Sequence, residues 1–179
     1  MSISGWSVVP VAVLAVPAPA FAVQYMTMEQ AGQLAFPGAE NFVSTRVSLS
    51  SAQWREIDRE APAMVSAREP RAWAAVAAGQ PMGYLYVDEV LGKQLFITYA
   101  VAMGMDGHVR RVEILDYRET HGFEVRNPRW LKQFAGVGEN SRLELNKDIK
   151  NISGATLSCR HVTEGVRRLL AVHRAAHAA

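Results

Sequence analysis

The chain has 179 residues, of which 157 follow a candidate leader over residues 1–22, enough for one domain with its own core and too few for two full ones. Apolar residues make up 49% and charged residues 20%, which excludes a charge-dominated disordered chain. The 19 Lys and Arg nearly balance the 17 Asp and Glu, so a formal charge of +2 gives no sign of nucleic-acid binding, and the single cysteine, Cys159, excludes an internal disulfide framework and multi-thiolate metal sites.

In chain order, Ser7 to Ala22 reads SVVPVAVLAVPAPAFA and ends in the small-x-small pattern Ala20-Phe21-Ala22. Pro10, Pro17 and Pro19 interrupt the run, which is shorter than the roughly 20 residues of a spanning helix, so it reads as a secretory signal cut after Ala22. No Lys or Arg precedes it. The expectation is a periplasmic or otherwise exported protein, soluble after cleavage.

Residues 23–70 are expected to form a helical segment and residues 71–179 the main domain. Thr27 and Gln30 fit a capping box for a short helix through Leu34, ended by Pro37-Gly38. Ser50-Ser51-Ala52-Gln53 offers another for a helix from Ser51 to about Glu60, stopped by Pro62. From Arg71 the helical period fades, and strands are expected at Trp73–Ala77, Met82–Val90, Leu95–Met103 and His108–Asp116, with turns at Gly79-Gln80-Pro81, Gly92-Lys93 and Asp106-Gly107. Val109, Val112 and Ile114 are candidate core residues. Pro128 to Phe134 reads as a short helix closed by Gly136, and Ser158 to about His177 as a long amphipathic one. In it Val162, Val166, Leu169, Leu170 and Val172 face the sheet, while Arg160, Glu164, Arg167, Arg168 and Arg174 fall mostly on the other side. The predicted fold class is α+β, an antiparallel meander packed by helices.

Before the last helix stands Asn151-Ile152-Ser153-Gly154-Ala155-Thr156-Leu157-Ser158. Small residues leave the backbone approachable, and unpaired N–H groups at a helix start favour an anion such as phosphate, with the Thr156 hydroxyl beside it. The plainer reading is that Ser153, Thr156 and Ser158 are caps. Elsewhere the five histidines offer one pair at one-turn spacing, His173 and His177, in a final turn expected to fray. No metal site is expected. Cys159 reads as a buried small side chain, Met103 and Met105 as packing residues, and Trp130 as the one tryptophan that could flank a cofactor ring.

Ser153-Gly154-Ala155-Thr156-Leu157-Ser158 resembles the attachment motif of FMN-binding domains in which flavin is joined through its phosphate to a threonine, similar to the FMN-carrying subunits of sodium-translocating NADH:quinone oxidoreductases and Rnf-type complexes. Glu119-Thr120-His121-Gly122 and then Gln133-Phe134-Ala135-Gly136 resemble two further segments of that family, and the likeness runs from about Tyr84 to Leu170. Lys150 stands where many relatives have Asp, with Asp148 the nearest acid, and His121 where they often have Pro.

The resemblance implies an electron carrier rather than a stand-alone enzyme. It implies FMN joined covalently to Thr156, with Ser153, Gly154, Ala155, Leu157 and Ser158 in the attachment loop. Glu119, Thr120 and Gly122 would lie against the ring, Thr120 as a hydrogen-bond donor. The implied partners are an FAD:protein FMN transferase, which supplies the FMN, and a redox protein, a membrane electron-transfer subunit being one form of it. Thr156 is then a substrate residue and no catalytic residue is expected. Two other functions fit the sequence: a flavin-free exported interaction or scaffold domain of the same fold, and a flavin-dependent reductase.

Overall fold

The computed structural model describes residues 23–138 and 140–178, and the expected signal over residues 1–22 lies outside them. Six strands, β1 (Val23–Gln24), β2 (Asn41–Thr45), β3 (Arg71–Ala77), β4 (Gln80–Leu91), β5 (Phe96–Gly104) and β6 (Val109–Tyr117), pair antiparallel in the order β1-β6-β5-β4-β3-β2. Strands β2 to β6 are a meander, and β1 closes its far edge beside β6. The α+β class and the antiparallel meander expected from the sequence are the observed architecture.

Helix α1 (Met28–Ala35) starts at Thr27 and α2 (Ser51–Glu60) at Ser50, each with the reciprocal capping box that its sequence spells out, Thr27 with Gln30 and Ser50 with Gln53. After β6 come a 3-10 turn at Phe123–Arg126, α3 (Pro128–Leu131, with Pro128 in its first turn) and a second 3-10 turn at Lys132–Phe134. Helix α4 (Thr156–His177) completes the chain and, at 22 residues, is about 33 Å long. Among the described residues, no helix is long and apolar enough to cross a membrane.

The sheet is covered on both faces. On one, Tyr86, Tyr99, Val101, Val112 and Ile114 meet Val162, Val166, Leu169 and Leu170 of α4 and Trp54 and Ile57 of α2. On the other, Ala75, Leu85, Val87, Ala100 and Leu115 pack with Ala31 of α1 and with Phe36. Strand β5 runs between both layers, so Ala100-Val101-Ala102-Met103 is apolar without alternation and fully buried. Gly165 lets α4 lie close on the sheet, because a Cβ there would run into the Tyr99 phenol.

Several local expectations are corrected. The β3–β4 turn is Ala78-Gly79, both at positive φ; Gln80 and Pro81 already pair with Ala77 and Val76, as the missing N–H of Pro81 permits at a strand start. Strands β1 and β2, which no apolar alternation announces, were not anticipated; β2 is almost entirely exposed. Helix α4 begins two residues earlier than expected, at Thr156 itself. Arg168 is not on the outer side: it is 1% exposed and pairs with Asp88 at 3.0 Å. The last turn of α4 does not fray, since His173 is buried and its Nδ1 lies 2.9 Å from the Tyr86 hydroxyl. Met105 is 55% exposed and packs into nothing, whereas Met103 is core.

Candidate functional site

The site gathers at the N-terminal end of α4. Ile152 to Ala155 form a turn in which Ala155 N–H donates to the Ile152 carbonyl at 3.1 Å and Gly154 takes φ +88°. That φ suits glycine, and no atom lies within 4 Å of where a Cβ would stand, so the chain is open to solvent there. Ala155 occupies the N-cap position and no side chain caps the helix. The plainer reading of Ser153, Thr156 and Ser158 as caps is therefore not what this helix start shows, and its first N–H groups stay available to an outside acceptor.

Thr156 is the first residue of α4 and is exposed, with Leu157 beside it, 46% exposed. Its Oγ1 accepts a hydrogen bond from the Asn151 amide at 2.9 Å. A threonine hydroxyl keeps its own proton to donate when it accepts such a bond, so Asn151 orients the oxygen without consuming it. The Asn151 carbonyl oxygen, Oδ1, is buried and has no hydrogen-bond partner among the described residues. Asn151 had no role assigned from the sequence, because nothing in its spacing shows that the turn folds back onto Thr156.

Ser158 is buried and turned inward, 3.1 Å from the Tyr117 hydroxyl at the end of β6; Tyr117 in turn donates to the His121 carbonyl at 2.5 Å. Burial pushes the Tyr117 phenol upward, so it stays a protonated donor. Gly122, at φ +90°, fits against both: a Cβ there would sit 2.6 Å from Ser158 Oγ and 2.6 Å from the Tyr117 hydroxyl. Glu119-Thr120-His121-Gly122 and Ser153-Gly154-Ala155-Thr156-Leu157-Ser158, distant in sequence, are thus in direct contact through Gly122 and Ser158. Tyr117 is the fastener, and its only sequence sign is a tyrosine closing a strand before a glycine-containing loop.

Glu119 is occupied. Its Oε1 accepts from the N–H groups of Gln94 at 2.6 Å and Leu95 at 3.0 Å, clasping the turn between β4 and β5. Burial alone would raise its carboxyl, but these backbone donors outweigh it and hold the group below the usual carboxylate value. Thr120 is exposed, its hydroxyl 2.8 Å from His121 Nδ1. Of the loop's polar groups, Thr120 and His121 reach solvent while Glu119 faces its own fold.

The Gln133-Phe134 segment braces the attachment loop from the other side. Lys150 N–H donates to Gln133 Oε1 at 2.9 Å, and Trp130 Nε1–H donates to the Lys150 carbonyl at 2.7 Å. Trp130 is buried edge-on against Phe134. Asp148 spends a carboxylate oxygen on the Glu144 N–H at 2.8 Å, closing its own turn. Cys159 is fully buried, and burial raises its thiol above the ordinary value, which marks an inert packing residue. Clefts of about 380 Å³ against β6 and α3 and about 480 Å³ at the start of α1 lie away from Thr156.

The arrangement is an exposed hydroxyl on an uncapped helix start, with an open glycine before it and a second loop packed alongside. An anionic phosphoryl group fits those donors, and nothing fills the space above Gly154. The model of the FMN-binding domain family matches residues 92–171, which run from the clasped turn through all of these segments into α4. No curated protein matches the chain. Over residues 92–171, then, the chain is similar to the FMN-binding domain family.

Proposed function

We propose that this protein is an exported electron-transfer flavoprotein that carries FMN as a phosphoester on Thr156, installed by an FAD:protein FMN transferase. The observation that carries the reading is the state of Thr156: exposed, at the uncapped start of a long helix, its oxygen oriented by Asn151. In the attachment step the Thr156 oxygen bonds to the FMN phosphorus of FAD, the pyrophosphate bond breaks, AMP leaves and the hydroxyl proton goes to a base of the transferase. No carboxylate or histidine of this chain is hydrogen-bonded to that hydroxyl among the described residues, which suits activation by an external enzyme and its metal.

The site's shape supports a covalent link. Thr156 and Leu157 are exposed, so a flavin at Thr156 would start from the surface, where area buried against the ring gives weak retention. A bond to the side chain removes that dependence. When bound, FMN supplies reversible electron transfer. The chain's own part is to hold the phosphate at the α4 N–H groups, to offer Thr120 and His121 as polar neighbours and Phe123 and Leu157 as apolar ones, and to leave one edge open.

The test is intact-protein mass after co-expression with the transferase. Wild type gains FMN less one water and stays yellow after denaturation and desalting, and Thr156→Ala gains nothing. An unmodified, colourless wild type would end the carrier reading in favour of the flavin-free scaffold, with Lys150 in the place of the relatives' Asp as its sequence counterpart.

A further inference from the structure

Residues 92–96, 117–134 and 150–161 are joined to one another: Glu119 clasps Gln94 and Leu95, Gly122 abuts Ser158, and Lys150 is bonded to Gln133 and Trp130. These segments hold seven Lys and Arg against two carboxylates, a net +5, whereas the whole chain is only +2. The rest of the chain, with twelve cations and fifteen carboxylates, is therefore net −3. The positive charge is thus concentrated in the segments that build the candidate site.

Part of that charge is locally used: Arg118 pairs with Asp116 at 2.7 Å, and Arg126 lies over the Tyr25 ring. Arg129, Lys132, Lys150 and Arg160 are exposed and make no ion pair among the described residues. Lys93 is exposed as well, in the turn whose backbone N–H groups Glu119 clasps, and its charge is partly offset by that neighbouring carboxylate. The N-terminus of α4 adds its partial positive charge at the same place. The same segments carry Leu95, Phe96, Phe123 and Leu157, each between 41% and 52% exposed. They are four of the eight exposed large apolar side chains among the described residues. Exposed apolar side chains beside unpaired cations are the composition of a small, electrostatically steered contact.

We propose that this face docks a redox protein through an acidic patch on that partner's surface, the partner's redox centre being brought to the flavin edge. The proposal rests on the carrier reading for its purpose, but the surface itself can be probed without flavin. With ¹⁵N-labelled protein, poly-L-glutamate shifts the amide resonances of residues 92–96, 117–134 and 150–161, the effect disappears at high salt, and poly-L-lysine leaves those segments untouched. Shifts elsewhere, no shifts, or binding to anionic phosphatidylglycerol vesicles in preference to polyglutamate would overturn it.

With the flavin in place, the reduced protein gives up two electrons to two one-electron oxidants and its protons to water. Ferricyanide reoxidises it faster than ruthenium(III) hexaammine relative to free FMN, and the ratio collapses as salt is added. The triple variant Lys93→Glu, Arg129→Glu, Lys132→Glu lowers the ferricyanide rate at low salt on the order of tenfold. Its flavin content by mass is unchanged. A salt-independent ratio, or a variant indistinguishable from wild type, overturns the docking face. A wild type without FMN sinks the carrier reading alone, and the polyglutamate result still decides the surface.

Discussion

Thr156 and Arg168 stand on the same helix, roughly 18 Å apart, in opposite surroundings. At Thr156 the helix start is uncapped, the preceding glycine faces open space and the hydroxyl is exposed. At Arg168 the guanidinium is 1% exposed, bonded to Asp88 at 3.0 Å and to the Arg68 carbonyl, with Trp54 beneath it. Past it, His173 is tied to Tyr86. The helix is held by its middle and its far end, and of its first turn Ser158 and Cys159 pack inward while Thr156 and Leu157 stay exposed.

The widest contrast is between losing one end's chemistry and the other's. Arg168→Ala strands a buried Asp88 and should cost about 3–5 kcal/mol in urea unfolding, while the paired change Asp88→Leu, Arg168→Met recovers most of that loss. A single variant that unfolds like wild type would show that the pair does not anchor α4.

Gly122→Ala forces a Cβ between Ser158 and Tyr117 at φ +90° and should cost about 1–3 kcal/mol, loosening the junction of the two loops. Chemical shifts at Thr156 should move with it. Loss of stability with no change at Thr156 would separate the loops functionally.

The Asp88 carboxyl is raised to about 6, burial outweighing the Glu89 N–H and Arg168. Between about pH 4 and pH 6 the folded chain keeps a proton that the unfolded chain has released, so this group adds stability as pH falls through that window and removes it as pH rises, by at most about 1.4 kcal/mol per pH unit. Asp88→Asn should flatten that slope in denaturant titrations at several pH values; an unchanged slope would assign it to another group.

Thr156→Ala sits at the small end. It should alter unfolding free energy by less than about 0.5 kcal/mol, since the side chain is exposed and caps nothing. A larger loss would make the threonine part of the fold and blur the division along α4.

The regular elements were legible wherever a local rule suffices. Thr27 with Gln30 and Ser50 with Gln53 satisfy backbone donors three residues away, and Pro128 starts its helix for a similarly local reason. Arg168 misled because its outward place in the helical pattern says nothing of a carboxylate 80 residues earlier on β4. Met105 misled because a methionine beside a turn reads as core by type alone. Strand β2 was invisible: its Asn-Phe-Val-Ser-Thr lies at the sheet edge, mostly exposed, and edge pairing needs no apolar alternation. At the site, the threonine, its glycine and the Glu-Thr-x-Gly segment were readable as strings of residue types. That Asn151 holds Thr156, and that Glu119 faces its own turn, were not, because each depends on how a loop folds back.

The sequence by itself determined the α+β class, most helix starts, the strands of the meander's centre and the residues that match a flavin family, all of which follow from contacts within a few positions or from residue identity. Only the tertiary structure decided that Gly122 meets Ser158, that Arg168 is buried while Thr156 is not, and that Glu119 clasps the turn between β4 and β5. Burial and long-range contact are set by neighbours brought together by folding, and no stretch of the chain carries them alone.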